Sequence, residues 1–254
     1  MIRFDNISKI IEGEVVLEDV GGHFEPGKVN LIIGASGTGK SVLLKCLVGL
    51  MLPDSGNVFF DGVDFWQGSR AEQVAIKQTI GMLFQGGALF DSKNVEENIL
   101  FPLNILTTLP YDEKLDRVNA CLKCVGLINM NKKMPSELSG GMQKRVGVAR
   151  AIVNNPKYLF CDEPTSGLDA RTGTLIDELI KDITCEYRMT TVIVTHDLNT
   201  TLSMGDHILF LEQGKKVWEG EKKELLTTKN TSLHHFLFSS KLMQLVKQQM
   251  AANP

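Results

Sequence analysis

The stretch GASGTGKS at residues 34–41 constrains the fold more than any other part of this 254-residue chain. It follows the apolar run VNLIIG, which has the length of a buried strand, and it leads into a helical pattern. Glycines here let backbone N–H groups turn toward phosphate oxygens, and the following helix adds its partially positive end. The pattern predicts a phosphate-binding loop made of Gly34, Ala35, Ser36, Gly37, Thr38, Gly39, Lys40 and Ser41.

Four residues are expected to carry the phosphate chemistry. Lys40 would place a positive charge against the β- and γ-phosphates, and the Ser41 hydroxyl would bind Mg²⁺. The apolar run KYLFCD ends in Asp162, which is well placed at the end of a strand to hold Mg²⁺, mainly through its water ligands. Glu163 comes next and can orient or deprotonate an attacking water. We therefore assign Asp162 to the metal, and Glu163 and Lys40 to catalysis.

Strands that alternate with helices predict an α/β fold with a mostly parallel sheet covered on both faces. Within residues 56–65 the strand is expected to bend at Asp61-Gly62, and a hairpin is expected to turn at Gln213-Gly214. The strand signals lie at residues 1–30, 56–65, 157–162, 190–195 and 207–220.

Residues 86–155 have a helical pattern. We predict one helix that is capped by Asp112 and stopped by Gly126, and a second helix over residues 142–154. The apolar stripe of the first helix consists of Leu115, Val118, Leu122 and Val125.

Composition excludes several classes of protein. The net charge of −3 does not suit a general nucleic-acid binder, so no nucleic-acid partner is expected. No apolar run reaches the roughly 18 residues of a membrane-spanning helix, and the start of the chain has no apolar leader region. Cys121 and Cys124 have the spacing of half a zinc site, but no second pair follows, so we favour helix packing for them.

Residues 138–145, LSGGMQKR, indicate which family of nucleoside triphosphatases is present. They resemble the signature sequence of the ABC ATPases and precede a helix. Ser139 and the backbone N–H groups of Gly140 and Gly141 would form a second anion site at this helix start, with Ser139 also capping the helix. The resemblance implies that this site closes on the γ-phosphate held by another copy. Two ATP molecules, each with Mg²⁺, would then join an ATP-dependent homodimer.

Three further positions follow the order of the same family. Gln85 matches the Q-loop glutamine that senses Mg²⁺ and the attacking water, Asp169 in SGLD matches the D-loop residue that crosses the dimer interface, and His196 matches the switch histidine that contacts the γ-phosphate. The resemblance covers residues 1–225. It implies a P-loop NTPase core with an antiparallel β subdomain and a helical subdomain inserted at about residues 86–155, and it implies ATP hydrolysis coupled to transport.

Adenine recognition departs from the family pattern. These ATPases usually stack the base on an aromatic residue near the end of the first strand, where this chain has Ile10 and Ile11. An aliphatic side chain can still cover the face of a base, so Ile11 is the candidate adenine contact.

The stretch FQGGALF at residues 84–90 lies where this family packs against its membrane partner. It resembles the ATPases of lipid-trafficking transporters, the Mla and Mce-associated group. That resemblance implies phospholipid transport between membranes with an integral membrane permease and an Mce-type lipid-binding protein. It also implies a peripheral location on the cytoplasmic face of the inner (plasma) membrane. The structural alternative is a flexible turn at residues 86–88 with Leu89 and Phe90 in the core.

Other functions stay open at this point. The chain could serve an amino-acid importer or a lipoprotein-release system, or it could be a non-transport ABC ATPase such as an iron–sulfur assembly factor. DNA-repair members carry a long coiled-coil insertion and translation members usually carry two motor domains, and the sequence shows neither feature.

Residues 226–254 are predicted to form a helical tail. Within the tail, residues 239–250 have an amphipathic pattern that Ser240 could cap. This helix could dock on its own domain, on the other subunit or on a membrane surface, although Lys241 and Lys247 are few basic residues for a membrane binder. Its apolar face consists of Leu242, Leu245, Val246 and Met250.

Overall fold

The computed structural model describes residues 1–225 and 227–238 and contains two β-sheets. The strands of the smaller sheet are β1 (Ile2–Ile11), β2 (Glu14–Phe24), β4 (Ser55–Phe60) and β5 (Val63–Asp64). Their order is β2-β1-β4-β5, and all neighbours are antiparallel. This sheet is the expected antiparallel β subdomain, although β1 and β2 are longer than the short strands expected from the sequence.

The larger sheet has six strands. They are β3 (Val29–Ile33), β6 (Ile80–Leu83), β7 (Tyr158–Asp162), β8 (Thr190–Thr195), β9 (His207–Glu212) and β10 (Lys215–Glu221). Their order is β10-β9-β3-β8-β7-β6, and only the edge pair β9–β10 is antiparallel. Because parallel strands end at one edge of the sheet, the segments that follow β3, β6, β7 and β8 meet there.

Buried strands of this sheet supply two hydrophobic cores. Every residue of β3, β7 and β8 is buried, as expected for strands covered on both faces. Successive side chains point to opposite faces, so Leu31 and Ile33 pack into the core shared with the helical region. Ile32 packs into the core shared with the antiparallel sheet.

The α-helices in the described part of the chain are α1 (Lys40–Leu47), α2 (Arg70–Gln78), α3 (Val95–Leu106), α4 (Tyr111–Cys124), α5 (Gly140–Ile152), α6 (Ala170–Tyr187), α7 (Leu198–Met204), α8 (Lys222–Leu225) and α9 (Thr231–Leu237). Helices α3, α4 and α5 lie between β6 and β7 and form the expected helical insertion. None of the helices among the described residues is long and apolar enough to cross a membrane.

Two local predictions differ from the structure. Residues 56–65 form a hairpin rather than one bent strand, because Asp61 and Gly62 both have positive φ angles, 49° and 87°, which suit a tight hairpin turn. Asp112 does not cap α4, since Pro110 is the cap residue and Asp112 lies in the first turn. An acidic residue in the first turn stabilises a helix start through the helix dipole. In the sequence, such a residue cannot be told from an acidic cap residue, which explains the wrong prediction.

The part of the predicted tail that the structure describes includes α9. Leu233 and Leu237 are buried in the core shared with the helical region, and the ring of Phe236 lies 5.3 Å from that of Phe210 on β9. The amphipathic helix predicted at residues 239–250 lies outside the described residues.

Candidate functional site

The phosphate-binding loop joins β3 to α1 at the edge where the parallel strands end. Gly34 and Gly39 have φ angles of +152° and +94°, which favour glycine. A Cβ at Gly34 would collide with the carbonyl oxygen of Leu211 on β9. A Cβ at Gly39 would come within 2.8 Å of the carbonyl oxygen of Val16 on β2. Glycine at both positions therefore lets the loop fit between the two sheets.

Lys40 folds back over this loop. Its ammonium donates a hydrogen bond to the carbonyl oxygen of Ala35 at 2.7 Å, and the Thr38 hydroxyl donates to the same oxygen at 2.9 Å. Burial lowers the pKa of Lys40, while the carboxylates of Glu163 and Asp162 act in the opposite direction. A curled glycine backbone, a helix start and a buried cation are what a polyphosphate requires, so the loop fits ATP.

Ser41 and Asp162 meet although they are 121 residues apart in the chain. The Ser41 hydroxyl donates a hydrogen bond to Oδ1 of Asp162 at 2.9 Å. Asp162 is the last residue of β7 and is buried. Hydroxyl and carboxylate oxygens are the ligands that Mg²⁺ prefers, so this pair fits Mg²⁺.

Glu163 and His196 also lie together. Glu163 follows β7 with a φ of 48°, and its N–H donates to the carbonyl oxygen of Val194 on β8 at 3.0 Å. Its carboxylate oxygen Oε1 lies 2.7 Å from Nδ1 of His196, which follows β8. A carboxylate oxygen accepts hydrogen bonds, so we assign the donor to Nδ1–H of the imidazole. A carboxylate held by an orienting partner beside an open surface suits the activation of water.

Two predicted site residues form no hydrogen bond with the phosphate loop, the Ser41–Asp162 pair or the Glu163–His196 pair. Gln85 follows β6 and is exposed, and within the described residues its side chain makes no hydrogen bond. Ile11 ends β1 opposite Glu14 and is half-buried, while Ile10 is 51% exposed. Both positions are open to a ligand, and their roles stay predictions.

The signature residues start α5 as expected. Ser139 is the cap residue, and its hydroxyl accepts a hydrogen bond from the N–H of Met142 at 3.3 Å. Gly140 is exposed, whereas Gly141 packs so closely on Thr172 that a Cβ would lie 2.6 Å from Cγ2 of Thr172. Asp169 caps α6 by accepting hydrogen bonds from the N–H and the hydroxyl of the same Thr172. The signature and D-loop residues are therefore neighbours.

Our sequence reasoning missed two buried cations on α5. Lys144 is 4% exposed, and its ammonium lies 3.5 Å from the carbonyl oxygen of Glu163. Burial lowers its pKa, as it does for Arg150. The Arg150 guanidinium donates to the carbonyl oxygens of Gly87 and Ala88 at 2.7 and 2.9 Å. The signal would have been charged residues within a helix that is otherwise made mostly of small and apolar residues from Val146 to Ile152.

Comparisons with known proteins agree with this geometry. The family model described as ABC transporter matches residues 17–166. A probable ribonucleotide transport ATP-binding protein, mkl of Mycobacterium leprae, is 39% identical over 93% of this chain and 68% of its own length. The methionine import ATP-binding protein MetN 2 of Bacillus anthracis is also 39% identical, over 94% of this chain and 72% of its own. This chain thus spans about two thirds of these curated relatives.

Solved structures of ABC cassettes have the same fold. The dimeric structure of MJ0796, a bacterial ABC transporter cassette, superposes with a TM-score of 0.79 at 33% identity, covering 87% of this chain and 99% of that one. The cassette cbiO1 from Clostridium perfringens gives a TM-score of 0.82 at 28% identity, covering 97% and 98%. Together with the phosphate loop, the Ser41–Asp162 pair and the signature helix, these matches show that the chain belongs to the ABC transporter family, as an ATP-binding and ATP-hydrolysing cassette that uses Mg²⁺.

Proposed function

We propose that this cassette powers the movement of phospholipid, or of a similar amphiphile, between membranes. It would work at the cytoplasmic face of the inner (plasma) membrane, bound peripherally to a permease that pairs with an Mce-type lipid-binding protein. Cassettes of this family dimerise and work with membrane permease subunits. The observation that carries the lipid assignment is the loop FQGGALF, which lines an apolar groove on the helical subdomain.

For ATP hydrolysis we assign a role to each residue that the fold brings together. Lys40 binds the β- and γ-phosphates, and Ser41 and Asp162 hold Mg²⁺, which neutralises phosphate charge when bound. Glu163 would orient the attacking water and accept its proton, while His196 holds the Glu163 carboxylate and would contact the γ-phosphate. Catalysis then consists mainly of positioning and charge stabilisation.

The remaining assigned residues act around this centre. Ser139, Gly140 and Gly141 would close on the nucleotide of a second copy, because an exposed helix start with free N–H groups attracts phosphate. Asp169 would cross the same dimer interface beside them. Gln85 would link the Mg²⁺ site to the permease surface, since it lies in the FQGGALF loop just after β6. Ile11 would cover the adenine face.

The groove beside this loop has the chemistry of a protein docking surface. It has a volume of about 400 Å³ and lies between β6, α3 and α5. Phe84, Phe90 and Phe101 line it and are 39%, 37% and 37% exposed, and the rings of Phe90 and Phe101 lie 4.7 Å apart. Large apolar side chains grouped at a surface typically mark an interaction site. An apolar helix of a permease suits this groove.

The loop that lines the groove is held on both sides. Residues 86–88 all have positive φ angles, and Arg150 on α5 anchors the carbonyl oxygens of Gly87 and Ala88. On the other side the buried Asn98 accepts from the N–H of Phe90 at 2.8 Å and donates to its carbonyl oxygen at 3.2 Å. Leu89 packs against the core, as the alternative interpretation of this stretch expected, whereas Phe90 lies at the surface. The hydrogen bonds with Arg150 and Asn98 support an ordered loop.

Two other cargo classes compete with lipid. One relative is named for ribonucleotide transport and another for methionine import, and both are 39% identical to this chain. Sequence identity therefore does not separate them. No residue of this cassette is expected to touch the cargo, so the cargo class depends on the permease that the groove selects.

The cargo test starts from the complex purified through this chain and reconstituted in liposomes. Phospholipid transfer and ATP turnover are measured with and without the lipid-binding partner, and in parallel with methionine, ribonucleosides or a lipoprotein added. The lipid assignment predicts that the partner and lipid stimulate turnover together with transfer, and that Glu163→Gln abolishes both. Stimulation by a small solute, with lipid transfer at background, would refute the assignment and leave the ATPase assignment intact.

The motor itself is tested with the isolated chain. Glu163→Gln keeps the shape of the side chain and loses the base, so turnover should almost vanish while ATP binding persists and a closed dimer accumulates on a sizing column. Glu18→Gln, at an exposed glutamate paired with Lys215 on the surface, is the matched control and should behave as wild type. Wild-type turnover in Glu163→Gln would exclude the proposed base.

The arrangement of sites across the dimer has its own test. Each nucleotide site of the dimer would consist of Lys40 from one chain and Ser139 from the other. Lys40→Ala and Ser139→Arg should therefore each inactivate both sites of a homodimer. Mixing the two chains leaves one intact site per heterodimer, so part of the activity should return. If a photoactivated label at position 139 crosslinks ATP bound to its own chain, the assignment across the dimer is wrong.

A further inference from the structure

Two histidines and a glutamate meet at the side of the molecule away from the phosphate loop. His207 begins β9 opposite the start of β3, whereas the phosphate loop follows the end of β3. His23 lies on β2 and Glu219 on β10, so the group joins the antiparallel sheet to the larger sheet. Within the part of the chain that the structure describes, this is the one group of three or more metal-ligating side chains close enough to share an ion.

Two of the three ligand–ligand distances in this group match those of a tetrahedral metal site. Nδ1 of His23 and Nε2 of His207 lie 3.3 and 3.4 Å from the same oxygen, Oε1 of Glu219. Ligand atoms on tetrahedral zinc are about 3.3 Å apart, because each bond is about 2.0–2.1 Å long. The two rings are 4.9 Å apart, and all three ligand atoms lie within 4.8 Å of one another.

Packing positions these ligands. His207 is 4% exposed, so its imidazole is held in place by the surrounding side chains. Lys216 binds the second oxygen of Glu219 at 2.7 Å and leaves Oε1 to the histidines. The His23 side chain is 47% exposed, so an ion can enter from solvent.

We propose that His23, His207 and Glu219 bind one divalent ion of the zinc class and that this ion clips β2 to β9 and β10. Imidazole nitrogen favours zinc, copper or nickel, whereas the Ser41–Asp162 pair offers oxygen alone and suits Mg²⁺. Nδ1 of His207 is buried and has no hydrogen-bond partner. A ligating histidine usually donates its other N–H to an acceptor, so we expect a moderate affinity.

The test uses the full chain, stripped of metal and free of nucleotide. Cys121→Ser, Cys124→Ser and Cys185→Ser are introduced first, so that no accessible thiol can supply a ligand. Zn²⁺ is titrated calorimetrically, and Co²⁺ serves as a spectroscopic probe whose visible absorption reports tetrahedral coordination. The proposal predicts one Zn²⁺ per chain, a tetrahedral Co²⁺ spectrum, and a higher melting temperature with Zn²⁺, because metal binds only the folded site.

Variants decide whether these three residues are the ligands. His23→Gln and Glu219→Gln should each weaken Zn²⁺ binding at least about tenfold, since even the loss of an outer hydrogen-bond partner has that effect. His23 is half exposed, so its substitution leaves the fold intact, which circular dichroism verifies. His235→Gln, at an exposed histidine on α9, is the control and should bind as the parent does. Unchanged affinity in both ligand variants, or no saturable binding by the full chain, would overturn the proposal.

Discussion

Arg150 is the strongest test of the idea that the FQGGALF loop is a prebuilt docking surface. Arg150→Met keeps most of the aliphatic length of the side chain and removes the guanidinium. Two hydrogen bonds are lost, one to the buried carbonyl of Gly87 and one to the partly buried carbonyl of Ala88. The contact of the guanidinium with the Phe90 ring, 5.8 Å from its centroid, is lost as well.

The size of the effect follows from the burial of each partner. A hydrogen bond to a charged group contributes about 1.5–3 kcal/mol, and the Gly87 carbonyl should lose this in full because it is buried. The Ala88 carbonyl can regain water, so its loss is smaller. Removing a buried cation, whose pKa burial has lowered, offsets part of this loss. We expect the free energy of unfolding to fall by about 2 kcal/mol.

Urea denaturation measures that loss, and hydrogen exchange measures the order of the loop. Amides of residues 86–90 should lose protection, and less permease should copurify, while the isolated cassette still hydrolyses ATP. Arg145→Met is a matched control on the same helix, since Arg145 is half-buried and donates one hydrogen bond, to Val125 at 3.2 Å. It should lose about 1 kcal/mol or less. Equal losses in the two variants, or unchanged exchange in the loop, would refute this account.

Three further predictions concern buried groups. Burial raises the pKa of Asp177 to about 6, so the folded chain keeps this proton to a higher pH than the unfolded chain does. The free energy of unfolding should therefore decrease as the pH rises from about 4 to about 6. Asp177→Asn should flatten that part of the urea-denaturation profile and add about 1–2 kcal/mol near pH 7, and an unchanged profile would contradict the assignment. Lys144→Met should lower kcat about tenfold with little change in KM, because the cation beside the Glu163 carbonyl helps to position that residue. Lys144→Arg should restore part of the rate, and wild-type kcat in the methionine variant would exclude this role. Gly34→Ala should destabilise the chain by about 2 kcal/mol or more and abolish ATP binding. Gly13 also has a positive φ, but a Cβ there would meet no other atom, so Gly13→Ala should cost only about 1 kcal/mol. Equal losses of stability in urea denaturation would refute the steric argument.

Local motifs were predictable because each one is defined within a few consecutive residues. The phosphate loop needs only a buried strand, glycines and a helix start, and all three are visible in residues 29–41. The signature helix and the carboxylates after β7 are local in the same sense. The bend at Asp61 was harder, because a tight turn with two positive φ angles and a bent strand share the same Asp-Gly signal.

The sequence by itself therefore determined the family and the nucleotide, and it supplied the candidates for the residues that carry the chemistry. Only the tertiary structure decided which of them meet, because strand order brings together residues that chain spacing keeps apart. It placed Ser41 against Asp162 across 121 residues, and it set the Glu163–His196 contact by laying β7 beside β8. The hydrogen-bonded anchor of the FQGGALF loop and the histidine pair between the sheets are equally invisible in the sequence. They depend on a helix and on strands that pack from distant parts of the chain.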